Sequence, residues 1–231
     1  NRFLSTNSLE QAYQNTLDCF RDFLIENIFN NTSSQINYFL QMIAAIEEGV
    51  DYSFFSFFKG TTKEINGLVA TGLINFNSRQ ETYIMHPLVR SLVLGCLPTD
   101  TIKALHIKVS EYFSKKYSFK HIDDKDRHFV ERKVVYHLIK GEEYDLAAIH
   151  IGRIGTRFIS FNTIDEMEEI LIELESKKIS DQGQAWLINI KAHLADFRKS
   201  FNLTGKMYHQ MLELAKKSKN IEIIALATNN V

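Results

Sequence analysis

Apolar residues recur at intervals of three and four along almost the whole chain, and this helical rhythm breaks once, between Leu73 and Met85. There Leu73-Ile74-Asn75-Phe76 and Glu81-Thr82-Tyr83-Ile84-Met85 flank the polar tip Asn77-Ser78-Arg79-Gln80, the pattern of a β-hairpin. Two prolines and ten glycines in 231 residues leave little else to interrupt a helix. The chain reads as mainly α with one small β-hairpin.

Around that hairpin the pattern divides. Residues 8–30 place Leu9, Tyr13, Leu17, Phe20, Leu24 and Ile28 on one stripe, an amphipathic helix that needs a partner. Helices over 34–48, 52–58 and 61–71 follow; Thr61 and Glu64 have capping-box spacing, and Gly49, Gly60 and Gly72 mark helix ends. Phe54, Phe55, Phe57 and Phe58 form more aromatic surface than one short helix hides, and the 8–30 helix is the expected cover. Three helices and then a hairpin is the winged-helix plan. A connecting helix over 87–97 stops at Pro98, and another covers 99–117.

The rest is helical: 128–140, 143–157, 163–177, 182–201, 204–218 and from 220 onward, after a polar loop at 118–125. Gly141, Tyr144 and Ala147 sit at three-residue intervals, as in a tetratricopeptide-like helical hairpin. Trp186, Ile190, Leu194 and Phe197, followed by Met207, Met211 and Leu214, repeat the theme without a strict period, giving a degenerate α-superhelical array. The domain boundary falls at Pro98 or in the 118–125 loop. Taken at Pro98, it gives an N-terminal helix plus winged helix over 1–98 and a repeat domain over 99–231.

A net charge of −1 and a pI near 6.8 give no global attraction to nucleic acid or to an anionic membrane. The third helix of the winged-helix pattern carries Lys63 cancelled by Glu64, and the hairpin tip adds only Arg79, too few cations to displace DNA counterions. Cys19 and Cys96 lack metal or disulfide spacing, suit a reducing cytoplasm and are expected to pack as thiols. No apolar run reaches a membrane span, and no signal peptide is evident. The start at Asn1 and the stop just after a helical pattern begins suggest a segment of a longer protein. Enzyme motifs are missing: there is no HExxH, the histidines at 121, 128, 137 and 150 lack ligand spacing, and Glu47-Glu48 and Glu168-Glu169 point to different sides of their helices.

The candidate functional residue is His86. Tyr83-Ile84-Met85-His86-Pro87-Leu88-Val89-Arg90 reads as a strand that delivers a histidine to the first turn of a helix, with Pro87 suited to the first helical position. A helix N-terminus favours an anion, so His86 is placed to touch a phosphate; the alternative is a histidine bonded to its own helix turn. Arg90 lies one turn along, where it could support the phosphate or simply lie at the surface.

The long helix, the winged-helix pattern, a strand ending in Met85-His86 and the hairpin array together resemble the arm of STAND-type signalling ATPases, the class of NB-ARC proteins and the bacterial maltose-regulon activator. The resemblance spans nearly the whole chain. Met85-His86 matches the start of the family's Met-His-Asp motif with Pro87 in place of the aspartate, and the continuation Leu88-Val89-Arg90 is similar to prokaryotic variants. The resemblance implies that the winged helix packs in cis on an ATPase domain, that His86 senses the phosphate of bound ADP, and that the repeats bind a protein or peptide ligand or a neighbouring protomer. ATP or ADP would belong to the parent protein, since no Gly-x-x-x-x-Gly-Lys-Ser/Thr loop occurs here and this segment alone should not hydrolyse ATP. The alternatives are a freestanding repeat scaffold that binds proteins and, trailing, a winged-helix nucleic-acid binder.

Overall fold

In the computed structural model, which describes residues 6–116 and 123–230, the helical rhythm becomes twelve α-helices and one two-stranded sheet among those residues. Helix α1 (Thr6–Phe23) runs on into a π-helical turn, Leu24–Phe29. Little covers its stripe. Tyr13 is 61% exposed and Leu17 and Phe20 are half-buried, while Ile28 is buried; the side chains of Leu9 and Leu24 lie outside the described set. Cys19 is also exposed on α1, against the expectation of a packed thiol, and Cys96 is half-buried.

Short polar side chains open the next helices by binding first-turn N–H groups. Ser33 accepts from Ile36 at 3.3 Å ahead of α2 (Ser34–Ala44), and Asp51 accepts from Phe54 at 3.3 Å ahead of α3 (Tyr52–Phe57). Before α4 (Thr62–Ala70) the capping box is made: the Thr61 N–H donates to the Glu64 carboxylate at 2.8 Å, and the Thr61 hydroxyl donates to the same oxygen. These bonds hold the Glu64 carboxyl below its ordinary range.

Strands β1 (Ile74–Asn77) and β2 (Thr82–Met85) pair antiparallel with Ile74 opposite Met85 and Asn77 opposite Thr82. The tip thus sits one residue later than expected. The Asn77 side chain accepts from the N–H groups of Arg79 and Gln80, and Glu81 takes the left-handed φ of 52° that turns the chain back. Val50 pairs with Tyr83 on the free edge of β2, through N–H···O bonds of 2.9 and 2.7 Å, so the backbone order is Val50, β2, β1. Gly49 allows this approach, because a Cβ there would lie 2.8 Å from Thr82.

Helix α5 (Pro87–Gly95) and helix α6 (Thr99–Lys116) follow. The chain divides into two compact units, Asn1–Tyr112 and Phe113–Val231, so most of α6 belongs to the first. Aromatic packing explains why. Tyr112 meets Phe54 at 5.1 Å and Phe57 at 5.5 Å, its hydroxyl lies 3.0 Å from that of Ser53, and Phe55 meets Tyr83 at 5.1 Å and Phe39 at 5.4 Å. The phenylalanine run is therefore covered by α2, β2 and α6, not by α1 as the pattern suggested.

The second unit is helical throughout: α7 (Asp124–Lys140), α8 (Tyr144–Ser160), α9 (Ile164–Glu175), α10 (Asp181–Phe197), α11 (Phe201–Ser218) and α12 (Ile221–Asn230). Helix α7 starts four residues earlier than expected because Asp123 caps it, accepting from Asp126 at 2.8 Å, and Asp124 and Asp126 suit the positive end of the helix. Of the loop expected at 118–125, residues 118–122, including His121, lie outside the described residues. Helices α3, α7, α8 and α10 end alike. Lys59, Glu142, Asn162 and Lys199 take φ between 57° and 60°, and the next N–H bonds back five residues, as in Ser200 to Ala195 at 2.8 Å.

Helix α8 packs on α7, α9 and α10; α10 packs on α11, and α11 on α12. Gly152 meets Trp186 and Gly155 meets Ile190, so α8 and α10 run in the same direction with backbones close. A Cβ at Gly152 would lie 2.7 Å from the Trp186 Cβ and 2.9 Å from the Trp186 carbonyl oxygen, which no rotamer change relieves. Gly205 of α11 has nothing within 4 Å of the same position. Alanine gains about 1 kcal/mol over glycine in a helix, while overpacking costs about 1–3 kcal/mol or more. Gly205→Ala is therefore expected to raise the thermal midpoint and Gly152→Ala to lower it, a pair that melting curves would check directly.

Candidate functional site

Met85, the last residue of β2, is 1% exposed and anchors the strand in the core of the first unit. The next residue, His86, is exposed and takes the extended backbone of an N-cap (φ −61°, ψ 138°), with Pro87 opening α5. Its Nδ1 accepts the Leu88 N–H at 3.2 Å, and its carbonyl accepts the Arg90 N–H at 3.0 Å. In the neutral imidazole an acceptor Nδ1 leaves the proton on Nε2. The Leu88 bond thus sets the tautomer and presents Nε2–H as the donor.

This geometry changes how an anion would be recognised. Pro87 has no N–H and the His86 ring takes that of Leu88, so two first-turn donors that a phosphate would otherwise find at this helix N-terminus are gone, while the Arg90 N–H closes the first helical turn on the His86 carbonyl. Recognition falls mainly to the imidazole. The Arg90 side chain is engaged elsewhere, since its guanidinium donates to the Glu47 carbonyl beyond the end of α2, and its Nε is buried with no partner among the described residues. Arg90 ties α5 to the α2–α3 connection and so steadies the turn that carries His86.

No family model, curated protein or solved structure matches the chain. Among the described residues no group of three His, Cys, Asp or Glu side chains is placed to hold a metal ion. Nor is any described helix long and apolar enough to cross a membrane.

The second unit holds a buried polar cluster that the sequence did not announce. His128 and Glu131, three residues apart on α7, are each 4% exposed. The His128 Nε2 lies 2.9 Å from the Thr163 hydroxyl, and its ring stacks on Phe161 at 5.0 Å. Glu131 pairs with Arg157 of α8, while Arg132 bridges to Glu166 of α9 at 2.6 Å. Burial pushes the Glu131 carboxyl up to about 7, against the pull of the guanidinium, and burial followed by the Arg132 charge holds His128 below its ordinary value. A histidine and a carboxyl on one helix face invite an acid-base reading, yet both are sealed from solvent, with the His128 Nε2 and one Glu131 oxygen held by neighbours. Their role here is to join α7, α8 and α9. His137, 2% exposed and stacked on Phe113 at 5.7 Å, is another core histidine.

Proposed function

We propose that this chain is the regulatory arm of a STAND-type signalling ATPase, with a winged helix that couples nucleotide state to a helical-repeat sensor. The observation that carries the reading is the order α2, Val50, α3, α4, β1, β2, with β2 central between Val50 and β1 and His86 at its exit. In this reading the order is that of a winged helix whose first strand is reduced to one residue. The helix hairpins of the second unit, with α8 and α10 in the same direction, support the tetratricopeptide-like part.

In this reading His86 donates from Nε2 to a phosphate oxygen of ADP held by an ATPase domain elsewhere in the parent protein. The repeats receive a protein or peptide ligand, and activation assembles copies of the protein. The segment binds and does not catalyse. The DNA-binding alternative is disfavoured because α4 offers Lys63 beside a Glu64 fixed in its capping box. A freestanding protein-binding scaffold is the second reading, and it draws on the pocket that α8, α10 and α12 enclose.

His86→Asn separates capping from sensing. Asparagine is a good N-cap and keeps an acceptor for the Leu88 N–H, but it is too short to place a donor where Nε2 lies. In the intact parent protein this variant should keep its melting temperature and lose ADP about tenfold or more faster, the scale of a hydrogen bond to a charged group. ADP retention equal to that of the unsubstituted protein would reduce His86 to a helix cap.

A further inference from the structure

Two helices of the second unit present exposed ridges of opposite charge. On α7, Lys125, Phe129, Lys133, Tyr136 and Lys140 recur at intervals of three and four and so share one side of the helix. Lys125 and Lys140 are exposed, Phe129 is 49% and Tyr136 38% exposed, and half-buried Lys133 holds its ammonium 4.4 Å from the centre of the Phe129 ring. On α9, Asp165, Glu169, Ile172 and Glu173 are the counterpart, all exposed, with Ile172 at 69%. Among the described residues these three carboxylates have no cationic partner, whereas the other α9 glutamates are taken: Glu166 by Arg132, Glu168 by Arg198 and Glu175 by Lys191. Glu166 reaches α7 on one side of the ridge, and Glu168 and Glu175 reach α10 and its end on the other. The acidic ridge points outward between them.

The two ridges adjoin along the Arg132–Glu166 contact and form one surface. Helix α9 is tied to α7 by His128 to Thr163 at 2.9 Å and Arg132 to Glu166 at 2.6 Å, partners that are 35 and 34 residues apart. A near-constant offset means that the two helices run in the same direction at a fixed level. It sets Lys133 level with the interval between Asp165 and Glu169, Tyr136 with that between Glu169 and Ile172, and Lys140 beside Glu173. A surface divided lengthwise into a cationic and an anionic half is complementary to itself. Turned about a two-fold axis along the helices, a second copy lays its α7 on the first copy's α9 at the same level, and its α9 on the first copy's α7. Lys133 then meets Asp165 and Glu169, Lys140 meets Glu173, and Tyr136 covers Ile172, each contact being made twice. An anionic membrane or a nucleic acid fits less well, because α9 would repel it wherever α7 attracts it.

We propose that this surface joins two copies of the chain in a symmetric dimer, with α7 of each seated on α9 of the other. Phe129, Tyr136 and Ile172 supply the apolar centre, and the charged residues fix orientation and register. The inference needs only the second unit and stands apart from nucleotide sensing by His86.

Sedimentation velocity of the 231-residue chain at rising concentration measures the association directly. A dimer is expected by about 100 μM, and its dissociation constant should rise about tenfold or more from 0.1 M to 1 M salt, as screening shortens the reach of the charges. Charge reversal then tests the pairing. Glu169→Lys with Glu173→Lys turns the acidic ridge basic, and Lys133→Glu with Lys140→Glu turns the basic ridge acidic. Each double variant alone should stay monomeric where the unsubstituted chain is dimeric, and an equimolar mixture of the two should restore the dimer, since every basic ridge again meets an acidic one. If Lys133→Glu prevents folding, Lys140→Glu alone takes its place, at an exposed position. An unsubstituted chain that is monomeric at about 100 μM, reversed variants that dimerise as well as it does, or a mixture that stays monomeric overturns the proposal.

Discussion

Arg157→Ala is expected to destabilise the 113–231 unit by about 1.4 kcal/mol more at pH 8 than at pH 5, the worth of the one pH unit that separates pH 8 from the Glu131 carboxyl at about 7. The substitution strands Glu131, 4% exposed, whose second carboxylate oxygen already has no partner among the described residues. A buried ionised carboxyl is costly; a protonated one is cheap. In the folded chain the Glu131 carboxyl is already pushed up to about 7, above its ordinary 4.5, and losing the guanidinium moves it further in the same direction. A group raised on folding gives stability that is fully present below the unfolded value and lost as pH rises through the folded one. The penalty in Arg157→Ala must therefore grow from pH 5 to pH 8. Urea denaturation at the two pH values measures it, and Glu131→Gln on the same background should restore most of the loss. An equal loss at both pH values would mean that packing of the arginine stem, and not the stranded carboxyl, is responsible.

Acid should weaken the same unit through His150. Its Nε2 is shut off from solvent with no partner among the described residues, and burial, reinforced by Arg153, depresses the imidazole to about 4 from an ordinary 6.5. Here the sign reverses. The unfolded chain takes the proton near pH 6.5 and the folded one does not, so stability is full above 6.5 and is lost as pH falls toward 4. At about 1.4 kcal/mol per pH unit the loss is about 3 kcal/mol. Glu131 works the other way between pH 4.5 and 7, so the two partly cancel in the unsubstituted chain. Glu131→Gln should unmask the full acid loss, and His150→Leu should leave stability falling as pH rises. Identical acid slopes with and without His150 would assign the effect elsewhere.

Periodicity was enough to locate the helices, the hairpin and the capping box at Thr61 and Glu64, because those signals lie within a few neighbouring residues. It failed at the end of α10, placed at 201 in the pattern and at Phe197 in the fold. The turn there relies on Lys199, and no local rule predicts a lysine in left-handed conformation; the glycines that normally mark such turns lie elsewhere. Val50 was invisible as a strand because one residue carries no alternation. His86 was legible because strand, proline and helix are contiguous around it. The paired ridges of α7 and α9 were not, since what matters in them is the level that two bonds between those helices set. The sequence showed Glu169 only as half of a carboxylate pair with Glu168.

The single-residue pairing of Val50 has a mechanical consequence. With Val50 paired to Tyr83 on one side and β1 along the other, β2 is held on both flanks, and the fully open flank of the sheet belongs to β1. A foreign strand can add only along Ile74–Asn77, away from the strand that leads into His86. Displacing His86 along its strand axis means breaking the two Val50 bonds or shearing the hairpin ladder. The histidine thus leaves the strand that is tied on both sides, and the Val50 link joins that strand to the α2–α3 connection.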